Sequence, residues 1–334
     1  MAAPITKVLP LRALNGPLLL LLVAPVLCAA APPAIGPWPT AQKSYKVPAL
    51  DGSDPSVWLH FPVCNVSQCP KFPLISYAHG FAGGDVDLLG YWAHFEQIAS
   101  YGFVLAAADS CDVGCTNANM GAPFTDCAGV PPLPLPLFNS WYGEQLKTIE
   151  WAHNMSAGGS ADPVFQSIDW TAGVGVAGHS MGGQATTLSS SSACAKKWDI
   201  RAAALIHPEI GDLPWGNTGV NISVPVSTFT SSGDNLCPPS TAAATMRAFN
   251  ASAQGATLPS AYRNAVGWSH LEPVLGQVFE NPLLATYVAS FFKVFLAKDR
   301  NIYYDLIFDA SSPDSVCNSE KMVDCYTTNA PPKK

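Results

Sequence analysis

V-A-G-H-S-M-G-G-Q-A-T, Val176–Thr186, is the stretch on which the fold turns. Ser180 stands there among glycines, after an apolar run (Val174–Ala177) and before a run of small residues (Gln184–Ser192). Apolar strand, G-x-S-x-G and small-residue helix together read as a nucleophile elbow. Such a turn strains the serine backbone, so Gly178 and Gly182 are needed to avoid clashes, and the serine Oγ is lifted above the C-terminal edge of a sheet. The competing reading is a chance G-x-S-x-G in a chain with 26 glycines. The strand–turn–helix context favours the elbow.

Working outward, apolar strand-like runs alternate with helix-like segments. Val57–Val63, Phe72–Ala78, Phe103–Ala108, Ala202–Ile206, Val224–Phe229 and a weaker Ala261–Val266 read as strands. Asp87–Tyr101, Trp141–Met155 and Tyr287–Leu296 read as helices. That alternation predicts an α/β fold, a mostly parallel central sheet covered by helices on both faces. Residues 32–55 are Pro-rich and are expected to wrap the surface. Ser110–Asn139, with three cysteines and P-P-L-P-L-P-L, is the one long irregular loop.

A serine nucleophile needs a base and an orienting acid, and on this architecture they follow in the order Ser, Asp/Glu, His. Asp234, in S-S-G-D-N-L-C-P-P after the strand Val224–Phe229, fits the acid. Glu209 and Asp212 are rivals that come after an earlier strand. His270, in G-W-S-H-L-E-P, fits the base. Of the seven histidines, His60 and His94 lie before the active edge or on helix faces, and His153 ends a helix. His179 neighbours Ser180 and should point away from its hydroxyl, and His207 follows the wrong strand. Met181 N–H, opening the helix, and Phe81 N–H, in H-G-F-A-G-G after Phe72–Ala78, are the expected oxyanion donors. Trp141, Trp215 and above all Trp268, two residues before His270, are candidates to line the pocket, though tryptophan is more often core.

These residues resemble the α/β-hydrolase superfamily, in the branch of cutinase-type polyester hydrolases, chlorophyllases and platelet-activating-factor-acetylhydrolase-like esterases. The resemblance runs from about Phe72 to His270. It rests on Y-A-H-G-F, F-E-Q-I-A-S-Y-G-F-V-L-A-A-A-D, V-A-G-H-S-M-G-G, S-G-D-N-L-C-P-P and G-W-S-H. It implies an α/β-hydrolase fold and a serine carboxylic-ester hydrolase with Ser180 as nucleophile, His270 as base and Asp234 as acid. Neither metal nor other cofactor is implied. Chlorophyllases carry Arg after the nucleophile where this chain has Met181, as many polyester hydrolases do. Only 17 residues separate Ile206 from Val224, where many lipases insert a lid, so no large lid domain is expected. The substrate would be a small-molecule or polymeric ester. An inactive binding module on the same fold is the alternative from another class.

The remaining composition bounds the setting. Hydrophobic residues make up 48% of the 334 positions, ample for one sizeable core. Charged residues are only 12%, and the net charge is −7 with no basic run, which argues against nucleic acid as a partner. Lys7 and Arg12 precede an apolar run ending in small residues at Ala29–Ala31, so residues 1–30 read as a secretory signal peptide. At 14 residues, Leu18–Ala31 falls short of a membrane span. No other segment is long and apolar enough to cross. The expected organisation is a catalytic domain over 31–310 and a C-terminal extension over 311–334. Secretion is the expected destination, with a plastid reached through the secretory route as the alternative. Nine cysteines follow Cys28, which predicts disulfides plus one odd thiol, with Cys64/Cys69 and Cys317/Cys325 as the nearest pairs. No C-x-x-C pair supports a zinc site. Sequons at Asn65, Asn154, Asn221 and Asn250 fit the same route.

Overall fold

The computed structural model describes residues 35–47, 56–64, 69–80, 90–109, 127, 136–209, 218–274, 282–319 and 321–333. The signal-peptide reading of 1–30 therefore lies outside the described residues, as do Phe81, Asp212, Trp215 and Asn65. So do residues 210–217, where the lid reading applies.

Nine strands form one sheet: β1 (Thr40–Lys46), β2 (Ser56–Pro62), β3 (Leu74–Ala78), β4 (Val104–Ala108), β5 (Val174–His179), β6 (Ile200–Ile206), β7 (Val226–Ser231), β8 (Ser260–Ala265) and β9 (Met322–Thr328). Their order is β1-β2-β4-β3-β5-β6-β7-β8-β9. From β4 to β8 every neighbouring pair is parallel, and β1, β2 and β9 run antiparallel at the two edges. The helices are α1 (Trp92–Ser100), α2 (Pro136–Ala157), α3 (Pro163–Gln166), α4 (Met181–Ser189), α5 (Ser192–Trp198), α6 (Pro239–Ala251), α7 (Leu283–Phe295) and α8 (Ile302–Ile307).

The central strands are buried on both faces, and their side chains alternate between two cores. Leu74 and Ala78, Val104 and Ala106, and Val174 and Val176 join the core with Leu146, Ile149, Leu188 and Met246 of α2, α4 and α6. Ile75 and Tyr77, Leu105 and Ala107, and Ala177 join the opposite core with Phe95, Phe291 and Phe292 of α1 and α7. This is the helix-covered, mostly parallel sheet that the strand–helix alternation predicts. Among the described residues no helix is long and apolar enough to cross a membrane.

Two edge strands depart from expectation. β1 lies in the stretch expected only to wrap the surface, and β9 lies in the expected extension 311–334. Val316, beside β9, is part of a main core, so the sheet runs through the boundary expected at 310. Both strands are polar (TAQKSYK and MVDCYTT) and only half-buried. An edge strand takes its order from one partner's hydrogen bonds and needs no apolar run, so neither carried the signal by which the inner strands were read. Disulfides join Cys64 to Cys69 and Cys317 to Cys325, the nearest pairs in sequence. A third joins Cys127 to Cys194 across 67 residues. It ties the long irregular loop to α5, which local spacing did not indicate.

Candidate active site

β5 ends at His179 and α4 begins at Met181, which leaves Ser180 alone at the corner with φ 56 and ψ −122. The left-handed backbone is held by main-chain bonds: Ser180 N–H donates to Ile206 O at 3.0 Å, and Gln184 N–H to Ser180 O at 3.1 Å. The two motif glycines are required by close approach. A Cβ at Gly178 would sit 2.1 Å from Gly182 O, and one at Gly182 would sit 2.1 Å from Ala78 O. Gln145 of α2 braces the corner from beneath, donating to Ala177 O at 2.8 Å and to Ser76 O at 3.1 Å.

The C-terminal ends of β6, β7 and β8 bring their loops to this corner. His270, after β8, has Nε2 2.9 Å from Ser180 Oγ and Nδ1 2.8 Å from Asp234 Oδ2. A carboxylate oxygen can only accept, so Nδ1 carries the proton and Nε2 is left to accept the serine O–H. Asp234, after β7, is locked by its own turn, since its Oδ1 accepts the N–H groups of Leu236 at 2.9 Å and Cys237 at 2.8 Å. Burial alone would raise its pKa. Donation from His207, His270 and Cys237 N–H outweighs that and holds the carboxyl well below the usual range. Ser180, Asp234 and His270 are all buried.

Met181 opens α4 directly after the nucleophile position, while Phe81, its expected partner donor, lies outside the described residues. The start of that loop is anchored, with Gly80 N–H donating to Tyr91 Oη at 3.0 Å. Trp268 is half-buried and packs against the core that contains Phe291, and Gly267 beside it donates to Ser232 Oγ at 2.9 Å. Glu209, the rival acid, stands near His270, and burial raises its carboxyl while His270 offsets part of the rise.

Three histidines, His179, His207 and His270, gather at this corner, with His270 the one against Ser180 Oγ. His207 follows β6, which sets it aside as the base, and it reaches the acid instead because β6 and β7 are parallel neighbours whose ends open side by side. Its Nδ1 lies 2.9 Å from Asp234 Oδ2 and its Nε2 lies 2.9 Å from Glu272 Oε2. Burial pulls the His207 pKa down, but the two carboxylates more than compensate and raise it to about 8. Glu272 was missed altogether. The only trace of it in sequence is its place two residues after His270. His179 is turned away from the serine hydroxyl, as expected, and bridges two loops instead. Its Nε2 lies 2.8 Å from His270 O, and its Nδ1 meets Tyr91 Oη. Burial, with help from the neighbouring histidines, pushes its pKa well below the ordinary value.

Cys237 is the unpaired thiol among the described residues, and its Sγ lies 3.9 Å from His270 Nε2. Burial, then the charges of Asp234 and Glu209, push it up to about 12, so it is no thiolate at neutral pH. His207, Asp234 and His270 could present ligand atoms to a cation, since those atoms lie within 4.8 Å of one another. In this structure they are engaged with each other, Asp234 Oδ2 being within 2.9 Å of both ring nitrogens. Set against known proteins, the chain matches no family model and no curated protein sequence.

Proposed function

We propose that this protein is a secreted serine carboxylic-ester hydrolase of the α/β-hydrolase fold, acting through an acyl-enzyme in the manner of cutinase-type esterases. The observation that carries the reading is the unbroken chain Ser180 Oγ, His270 Nε2, His270 Nδ1, Asp234 Oδ2 at 2.9 and 2.8 Å, rooted on a strained elbow between strand and helix.

His270 takes the Ser180 proton as Oγ attacks the ester carbonyl. The tetrahedral oxyanion is met by Met181 N–H at the start of α4; Phe81, the other donor that the resemblance implies, lies outside the described residues. His270 then protonates the departing alkoxide, leaving the acyl group on Ser180. Water, deprotonated by the same imidazole, attacks the acyl carbonyl and frees the acid. Asp234 stays ionised throughout and balances the imidazolium that forms twice per turnover. No step calls on a metal.

Leu236, Val266 and Leu271 are exposed large apolar side chains in or beside the loops that carry Asp234 and His270. Such a rim suits an apolar ester or polymer surface better than a charged substrate. Disulfides and the sequons, with Asn154 exposed on α2, support a secretory route.

A fluorophosphonate should label the folded protein at one site. Ser180→Ala should abolish labelling and lower turnover of p-nitrophenyl esters on the order of a million-fold. A folded wild-type protein that neither labels nor hydrolyses any ester in a chain-length series, a chlorophyll or a polyester film would refute the proposal.

A further inference from the structure

His207 is built into its position at some cost. Its φ is 43, a left-handed conformation unusual for a residue with a Cβ. Its N–H is held by Phe229 O at 2.8 Å. The side chain is fully buried, and each of its ring nitrogens ends on a carboxylate. Ionised carboxylates have no proton to give, so a ring that serves both must donate from both nitrogens. With both carboxylates ionised, that ring is an imidazolium.

The consequence for Asp234 is specific. Its Oδ2 receives N–H groups from both His207 and His270, and its Oδ1 receives two main-chain N–H groups. Its lone pairs are filled, and its orientation is fixed from two sides. An imidazolium beside it would, alone, cancel the charge that His270 relies on when it becomes protonated. Glu272 on the far nitrogen of His207 restores that charge. The set Asp234, His207 and Glu272 carries one net negative charge, that of a lone carboxylate, spread over three fixed side chains. Among the described residues the other rings facing His207 are His179 at 6.0 Å, His270 at 5.9 Å and Phe229 at 6.4 Å between ring centroids. Glu209 stands two residues on in the chain.

We propose that His207 and Glu272 extend the Ser180–His270–Asp234 chain as positioning residues. His207, an imidazolium clamped between two carboxylates, holds and charge-balances Asp234, and Glu272 keeps His207 charged. The inference rests on the triad reading under Proposed function. The rise of the His207 pKa to about 8 agrees with it.

Two measurements on the full chain decide it. In the wild-type protein, nitrogen-15 histidine NMR should show one imidazole protonated on both nitrogens at pH 7 that loses a proton only near pH 8. His207→Gln should remove that signal. This readout stands whether or not the protein hydrolyses esters, so it separates this inference from the triad reading, which fluorophosphonate labelling tests alone. Second, Glu272→Gln keeps shape and removes the counter-charge. It should lower kcat for a p-nitrophenyl ester by about 10- to 100-fold with KM changed less than about threefold, and should move the alkaline inflection of the kcat profile to lower pH by about one unit or more. A His207 ring that is singly protonated at pH 7 overturns the proposal. So does a Glu272→Gln enzyme with wild-type kcat and an unmoved inflection.

Discussion

His179 Nε2 lies 2.8 Å from the main-chain oxygen of His270, so the residue before the proposed nucleophile holds the backbone of the proposed base. The tautomer follows, because a carbonyl only accepts. Nε2 donates, Nδ1 accepts from Tyr91 Oη, and Tyr91 Oη in turn accepts from Gly80 N–H. One imidazole thereby ties the β3 loop, the elbow and the base loop together. His179→Phe leaves the His270 carbonyl and the Tyr91 hydroxyl buried without their partner. It should cost about 1–3 kcal/mol of stability by urea titration and lower kcat more than it raises KM. Tyr91→Phe should show the same kinetic split in weaker form.

The elbow glycines give a second prediction. Gly178→Ala or Gly182→Ala places a methyl 2.1 Å from a carbonyl oxygen that belongs to the main chain. Backbone cannot step aside as a side chain can, so each should cost about 1–3 kcal/mol or more by denaturant midpoint. Fluorophosphonate labelling should slow in step. Gly159, which has open space around it, serves as the control, with loss limited to the strain of its φ of 68.

Stability should peak near pH 6.5 and decline from there towards pH 8. His60 and His79 are lowered by burial to about 4 and His94 to about 3, and burial also lowers His179. Below pH 6.5 the unfolded chain binds protons that these buried rings refuse. Each ring therefore removes about 1.4 kcal/mol of stability per pH unit until its folded pKa is reached. His207 has the opposite sign. Its raised pKa stabilises the fold below 6.5, and that contribution is lost as pH rises through about 8. Urea midpoints measured from pH 4 to pH 9 should trace both flanks, and His207→Gln should flatten only the alkaline one.

The disulfides should contribute unequally. Cys127–Cys194 closes 67 residues, against 5 for Cys64–Cys69 and 8 for Cys317–Cys325. By loop-closure entropy, Cys194→Ser should cost about 4 kcal/mol and Cys69→Ser about 2 kcal/mol. Thermal unfolding under oxidising conditions compares them directly.

Replacing Asp234 tests the tautomer argument. Asp234→Asn keeps size but can offer its amide N–H to His270 Nδ1, which shifts the ring proton to Nε2, so that Nε2 faces Ser180 as a donor. Under the proposed function turnover should fall roughly 10⁴-fold, as the same change does in a Ser-His-Asp protease. Labelling at Ser180 should persist at a reduced rate.

What the chain carries locally could be read from it directly. An apolar run, G-H-S-M-G and a small-residue helix require the corner at Ser180, because only glycine tolerates a backbone oxygen 2.1 Å from where its Cβ would be. The inner strands announced themselves by apolar runs that two covered faces demand. Asp234 and His270 could be named because chain order sets which strand ends they follow, and the structure brings both to Ser180. The tertiary structure alone decided what depends on neighbours in space. β1 and β9 are polar and gain their order from a single partner strand. Cys127 finds Cys194 across 67 residues. His207 reaches Asp234 because β6 and β7 lie side by side, and Glu272 closes on His207 because the β8 loop folds back over both. Side-chain pairing across parallel strand ends is fixed by sheet order, and no spacing along one chain encodes which loops will meet.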